Sequence, residues 1–251
     1  MSEAAAAPGA PSFVLVHGAW HGAWAWEEVV PLLPGHVEAL DLPGHGADAT
    51  PVAGCTLDAY CARAVEALER ARAASGGPAL LVGHSLGGMT VAAACEARPD
   101  LVRAAVYLCA YMPRDGESGY GLARQDKASA ITPDACVLRP DDGLLDIVPE
   151  RIRDAMYDGA PPAAVDRAVA RLCSEPLAPM GTPVALTAER HGGVPRVYVH
   201  CLHDRIITPA LQRQLAAAQP CLELELAAGH SPALSRPREL TALLASLPAS
   251  L

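Results

Sequence analysis

The residue of this chain with the plainest chemical potential is a serine hydroxyl set between two glycines, in Gly83-His84-Ser85-Leu86-Gly87. An apolar run leads into it and a helical pattern follows at once, so Ser85 falls on a sharp strand-to-helix turn. Such a turn exposes a hydroxyl at the carboxyl edge of a sheet, over helix N-terminal amides that favour developing negative charge. The glycines carry no Cβ, which lets neighbouring backbone pass close to the turn. The same five residues also describe a turn whose serine does no more than cap a helix. A serine becomes a useful nucleophile only when a base takes its proton and a third group orients that base.

Two residues fit those roles. Asp204 follows the run RVYVHCLH and precedes a helix opened by Thr208-Pro209. His230 follows CLELELAA, in the turn Gly229-His230-Ser231 before the last helical pattern. Taken singly, Asp204 reads as a loop or capping carboxylate and His230 as a solvated loop histidine. Taken together with Ser85, all three stand where successive strands end, in the order serine, acid, histidine. Asp115, after another strand, is a second candidate acid and ranks behind Asp204.

An oxyanion pocket needs two backbone N–H groups aimed at one point. Leu86, directly after the serine, supplies one. The loop in FVLVHGAWHGAW supplies the other, from Ala19, with His17 and Gly18 letting the chain turn close to Ser85. Trp20, His21 and Trp24 are candidates for an acyl pocket wall, while Trp24 and Trp26 read equally as packing anchors. Asp41 and His45, in ALDLPGHG, read as a locally bonded Pro-Gly turn rather than a metal or acid site.

The elements that must position these residues alternate between short apolar runs and helical stripes, the mark of a parallel sheet covered by helices on both faces. Strands are expected over residues 13–17, 37–42, 79–83, 104–110, 196–201 and 222–226. Residues 56–74 form the clearest helix: Leu57, Tyr60, Cys61, Ala64, Val65 and Leu68 share one stripe, with Thr56 as N-cap. Further helices are expected over 86–97, from Thr208-Pro209 onward, and over 237–247. The alternation stops between Met112 and Pro195, where only short helical stretches (149–157 and 163–173) and no parallel strand are read. A connection of that length has its own structure and purpose, so 112–195 is read as an inserted cap on a core of 12–111 and 196–251. Residues 1–11 are read as a loose tail.

Composition sets limits. The chain has 251 residues, 51% hydrophobic but only 4% aromatic, so Ala, Leu and Val must do most of the packing. A net charge of −9 argues against nucleic acid and against an anionic membrane surface. The eight cysteines show no C-x-x-C and sit mostly in apolar runs, as structural thiols do. There is no phosphate-binding Gly-rich loop and no second cluster of metal-ligand types, so neither cofactor nor metal is expected. With no basic n-region and no apolar run near the roughly 20 residues that span a bilayer, a cytoplasmic protein is expected.

FVLVHGAWHGAWAWEEVVPLL, ALDLPGHG, LLVGHSLGG, RVYVHCLHDRIITPALQRQLA and GHSPALSRPRELTALLASL together resemble the α/β-hydrolases. More narrowly they resemble the branch that holds plant methyl esterases, hydroxynitrile lyases and bacterial relatives. The likeness runs from about Phe13 to the end and is weaker through the cap. It implies an α/β-hydrolase fold, a doubly wound, mostly parallel six-stranded sheet with an inserted cap. It implies a triad of Ser85, Asp204 and His230, with oxyanion donors on Ala19 and Leu86. Hydroxynitrile lyases of the Hevea type carry threonine and lysine where this chain has Gly18 and Ser231, so cyanide release is not expected. Ser231 also departs from the apolar residue of the plant esterases.

Gly18, His21, Tyr111 and Ser231 are the expected substrate-side residues, with Tyr120, Met156, Tyr157 and Met180 as candidate walls from the cap. The expected activity is hydrolysis of a small ester, methyl or short-chain, of an aromatic or polyketide-like acid, without a cofactor. A lyase, cyclase or thioesterase using the site for proton transfer is the alternative. A ligand receptor with a vestigial triad is a third reading, disfavoured by the intact serine, acid and histidine. A homodimer is compatible with all of these.

Overall fold

The computed structural model describes residues 11–247. Its first strand, β1 (Ser12–Val16), is buried along its whole length, and β2 (His36–Leu40) pairs with it in parallel. Helix α1 (Leu57–Ser75) opens on Thr56, whose hydroxyl accepts from Ala59 N at 3.1 Å, and closes on Gly76 in the left-handed region. β3 (Ala79–His84) is also buried throughout and runs into α2 (Gly87–Ala97), which ends ahead of Pro99; β4 (Val102–Leu108) follows. Continuous apolar runs in β1, β3 and β4 are what strands covered on both faces require.

Between β4 and the next strand of the main sheet lie α3 (Gly119–Ala123), β5 (Cys136–Arg139), β6 (Leu144–Ile147), α4 (Pro149–Met156), α5 (Pro162–Val169), β7 (Glu175–Pro176) and α6 (Leu177–Gly181). The chain then returns as β8 (Arg196–Cys201), α7 (Pro209–Ala217), β9 (Leu222–Leu226), α8 (Pro232–Ser235) and α9 (Pro237–Ser246). The six long strands form one parallel sheet in the order β2-β1-β3-β4-β8-β9.

That order fixes where a site can be. From β1 the chain steps outward to β2, then returns to build β3, β4, β8 and β9 on the other side. The switch lies between β1 and β3, whose ends are in register at Val16 and Gly83. Loops leaving these two strand ends part in opposite directions and open a crevice, the usual ligand position in such sheets. The β1 loop with Ala19 and the β3 turn with Ser85 leave side by side there.

The six expected strands and the main helices are present within one or two residues. Two expectations need correcting. The segment between β4 and β8 holds a three-stranded antiparallel sheet, β5-β6-β7, as well as helices. Its strands of two to four residues, with Val137 and Leu138 exposed, are too short to show a two-residue alternation. The helix expected to reach residue 173 ends at Val169, and Cys173 N instead donates to Trp20 O at 3.0 Å. Of the expected tail, residues 1–10 lie outside the described residues, while the Pro11 carbonyl already accepts from His36 N. No described helix is long and apolar enough to cross a membrane.

Candidate active site

Ser85 sits between β3 and α2 with φ of 54°, in the left-handed region that L residues rarely occupy. Its neighbours must accommodate that turn. A Cβ on Gly87 would lie 2.5 Å from the His17 carbonyl oxygen, and one on Gly83 would lie 2.9 Å from the Gly87 backbone. Only glycine fits either place. The bend is tied down by Ser85 N donating to Leu108 O, and by Gly88 N and Tyr111 N donating to Ser85 O.

The partners expected for the hydroxyl converge on it. His230 Nε2 is 3.0 Å from Ser85 Oγ, and His230 Nδ1 is 2.8 Å from Asp204 Oδ2. Asp204 follows β8 and His230 follows β9, so two adjacent strands deliver them to the same edge as β3. Both are 2% exposed and Ser85 is 8% exposed. A buried carboxylate needs its lone pairs satisfied. Asp204 Oδ1 accepts from the amides of Ile206 (2.7 Å) and Ile207 (3.1 Å), leaving Oδ2 for the imidazole.

Gln212 also serves that carboxylate, and the sequence reading did not single it out. It lies fully buried on α7, where Nε2 donates to Asp204 Oδ2 at 3.2 Å and to Ile207 O at 2.6 Å. Its Oε1 accepts from Cys201 N, locking the β8 end to the helix. The available signal was an amide on the buried stripe formed by Leu211, Gln212, Leu215 and Ala216. The imidazole is steadied from behind by its own backbone: His84 Nε2 donates to His230 O at 2.7 Å. Burial, with the neighbouring histidines His230 and His21, holds His84 well below the ordinary histidine pKa and therefore neutral.

The β1 loop is built by its own histidines. His17 Nδ1 donates to Gly18 O at 2.8 Å and its Nε2 accepts from Leu42 N. His21 Nδ1 donates to Ala19 O at 2.6 Å, and Tyr157 Oη donates to His21 Nε2 at 3.0 Å. Burial pushes His21 down to about 4, against the opposing pull of the Ala19 bond. The amides of Ala19 and Leu86 donate to no group among the described residues. Both lie at the crevice, one on the loop after β1 and one directly after Ser85.

Gly18 lies against Ser85, since a Cβ there would approach Ser85 Cβ to 2.8 Å. Ser231 is 3% exposed, and its Oγ is without a partner among the described residues, beside a cavity shared with His21, Trp26 and His84. Tyr111 abuts Ser85 through its backbone amide. Tyr157 and Met156 are buried, whereas Tyr120 is 51% exposed with Arg124 over its ring and does not serve as a wall. Asp115 accepts from Leu186 N and is no rival to Asp204.

His45 is more than part of a local turn. Its Nε2 pairs with the buried Glu175 of β7 at 3.0 Å. All eight cysteines are free. His84, Cys109 and His230 offer ligand atoms within 4.8 Å of one another. Both His230 nitrogens and His84 Nε2 are already engaged in the bonds above, which leaves that trio a poor metal donor set.

Chemically, the arrangement can take a proton from Ser85, hold the resulting imidazolium against Asp204, and bind an oxyanion at two free amides. The profile of the "Alpha/beta hydrolase family" matches residues 13–243. The chain belongs to the α/β-hydrolase family. Within it the chain falls in the branch of PIR7-type esterases and plant methylesterases, and it is an enzyme of the esterase type. It is 34% identical over 260 residues to the probable esterase PIR7A of Oryza sativa subsp. indica, covering 94% of this chain and 96% of that protein. It is 30% identical to methyl jasmonate esterase 1 of Vitis vinifera, over 92% and 94% of the two chains. A crystallised pyrethroid hydrolase, PytH, superposes with a TM-score of 0.83 at 25% identity, over 96% of this chain and 98% of that one.

Proposed function

We propose that this α/β-hydrolase cleaves small carboxylic esters through an acyl-enzyme on Ser85. The supporting observation is the unbroken line Ser85 Oγ, His230 Nε2, His230 Nδ1, Asp204 Oδ2, with separations of 3.0 and 2.8 Å, beside two unpaired amides. His230 takes the hydroxyl proton as Ser85 Oγ attacks the ester carbonyl. The carbonyl π electrons move to oxygen, where Ala19 N and Leu86 N donate to the oxyanion. As the tetrahedral intermediate collapses, the ester C–O bond breaks and His230 returns the proton to the leaving alcohol. Water then enters, gives its proton to His230 and attacks the acyl carbonyl; the bond to Ser85 Oγ breaks, His230 returns the proton to that oxygen, and the acid leaves. Each oxyanion donor contributes about 3 kcal/mol of barrier lowering in comparable sites. Asp204 holds His230 in the Nδ1–H tautomer, which leaves Nε2 free to accept.

Methyl and other short-chain esters are the favoured class. Leu42, Leu57, Met89 and Pro179 make the small cavity beside Leu86 mostly apolar, and relatives of the branch include a methyl jasmonate esterase. In this reading residues 112–195 act as the cap and Ser231 offers one buried polar contact to the substrate. Gly18 speaks against the cyanohydrin alternative, because a threonine there would have to place its Cβ 2.8 Å from that of Ser85. The test is Ser85→Ala against a panel of methyl, short alkyl and aryl esters. The variant is expected to fold as the parent does and lose turnover by about 10³-fold or more. Retention of most activity on the best ester would overturn the acyl-enzyme route in favour of proton-transfer chemistry by His230.

A further inference from the structure

Trp20, the residue directly after the oxyanion donor Ala19, has φ of 63°, an unusual conformation for a bulky side chain. Something must hold it there. Its amide donates to Glu175 Oε2 at 3.0 Å, its carbonyl accepts from Cys173 N at 3.0 Å, and its indole Nε1 donates to Leu145 O at 2.9 Å. All three partners lie in the segment between β4 and β8. Within the loop, Gly18 and Ala19 bond to His17 and His21, and His21 in turn to Tyr157; Trp20 is where the backbone next to Ala19 is held from outside.

Glu175 is the one side chain among those three grips, and it is 1% exposed. A carboxylate that deep needs a counter-charge. His45 Nε2 supplies it at 3.0 Å, backed by Tyr60 Oη at 3.3 Å from His45 Nδ1. Glu175 Oε2 therefore joins three parts of the chain at one atom: the β1 loop, the turn after β2 and strand β7. Glu175, Ala19 and Leu86 also line a common small cavity beside the oxyanion amides.

We propose that Glu175 is a positioning residue for the reaction. Its acceptor oxygen fixes Trp20 N and thereby aims Ala19 N at the oxyanion, so the oxyanion pocket is complete only when β7 is docked. The inference rests on the esterase reading above. Its consequence is a loss felt in the transition state rather than in substrate binding, because the amide is needed where charge develops.

The test separates reach from charge. Glu175→Gln keeps an acceptor oxygen at the same distance and gives up the charge, while Glu175→Asp keeps the charge and withdraws it by one methylene. With p-nitrophenyl acetate, Glu175→Asp is expected to lose about 10- to 100-fold in kcat with KM within about threefold of the parent. It should also bind a trifluoromethyl ketone, which forms an oxyanion on Ser85, correspondingly more weakly. Glu175→Gln is expected to stay within about threefold of the parent in both measurements. A folded Glu175→Asp with parental kcat, or a Glu175→Gln as impaired as Glu175→Asp, overturns the proposal. If Glu175→Asp does not fold, Glu175→Gln still decides, since a tenfold fall in its kcat with an unchanged melting curve contradicts the role. An inactive parent protein would instead sink the esterase reading.

Discussion

At the scale of single residues, an ordinary hydroxyl and an ordinary carboxylate acquire their chemistry from their surroundings. Asp204 spends one oxygen on two backbone amides and offers the other to His230, so the imidazole has one tautomer that fits. Replacing Asp204 by Asn keeps the shape but presents an N–H where an acceptor is needed. We expect Asp204→Asn to fold and to lose about 10³- to 10⁴-fold in kcat, measured by steady-state hydrolysis of the best ester. A loss of tenfold or less would mean that Asp204 does not orient the base. Ser85, Asp204 and His230 were legible because each carries its chemistry in its type and stands at a strand end. Gln212 and Glu175 were not, since the parts proposed for them depend on which backbone groups folding brings to them. Gln212 meets Cys201 and Ile207 within its own β8–α7 unit, and Glu175 meets Trp20 across the fold.

At the scale of elements, the strand-to-helix turn is set by packing against β1. Gly87 passes the His17 carbonyl with no room for a side chain. Gly87→Ala must push the start of α2 away from the β1 loop, separating Leu86 N from Ala19 N. We expect about 1–3 kcal/mol of destabilisation in urea unfolding, accompanied by a drop in kcat larger than any change in KM. Parental stability in this variant would show that the two loops are not in close contact. The six parallel strands could be read from sequence because each is a continuous apolar run bounded by turn residues. The β5-β6-β7 sheet could not. Its strands are too short for periodicity, and β7 is only Glu175-Pro176. The helical pattern of α5 continues in the sequence past Val169, but Cys173 is drawn off by Trp20 and the helix ends.

At the scale of the whole molecule, buried histidines govern the response to pH. Burial holds His17 and His84 well below the ordinary histidine value, and His21 and His191 at about 4. The folded protein keeps them neutral while the unfolded chain takes up protons below about pH 6.5. Their contribution is therefore present above pH 6.5 and lost as pH falls toward 4. His45 works the other way. Burial lowers it, but the charge and hydrogen bond of Glu175, with help from Pro43 O and Asp41, raise it overall; its other ring neighbours are Tyr60 and His17. The stability His45 contributes is complete below about pH 6.5 and lost as pH rises through its folded value. Four lowered groups outweigh one raised group, so the urea midpoint is expected to be lower at pH 5 than at pH 7.5. In His45→Gln the alkaline decline should flatten. A parent midpoint as high at pH 5 as at pH 7.5 would contradict neutral burial of these rings. Little of this was visible in sequence, because the direction of each shift depends on partners brought from distant strands.

We propose that Ser85 Oγ is the atom that takes the acyl group. The most direct test is covalent trapping with a fluorophosphonate, followed by peptide mapping and by the same treatment of Ser85→Ala. One equivalent of label is expected, confined to the peptide bearing Ser85, with ester hydrolysis lost in step with labelling and no label on the variant. Full hydrolysis by a protein that takes no label, or label on another residue with Ser85→Ala still active, would contradict it.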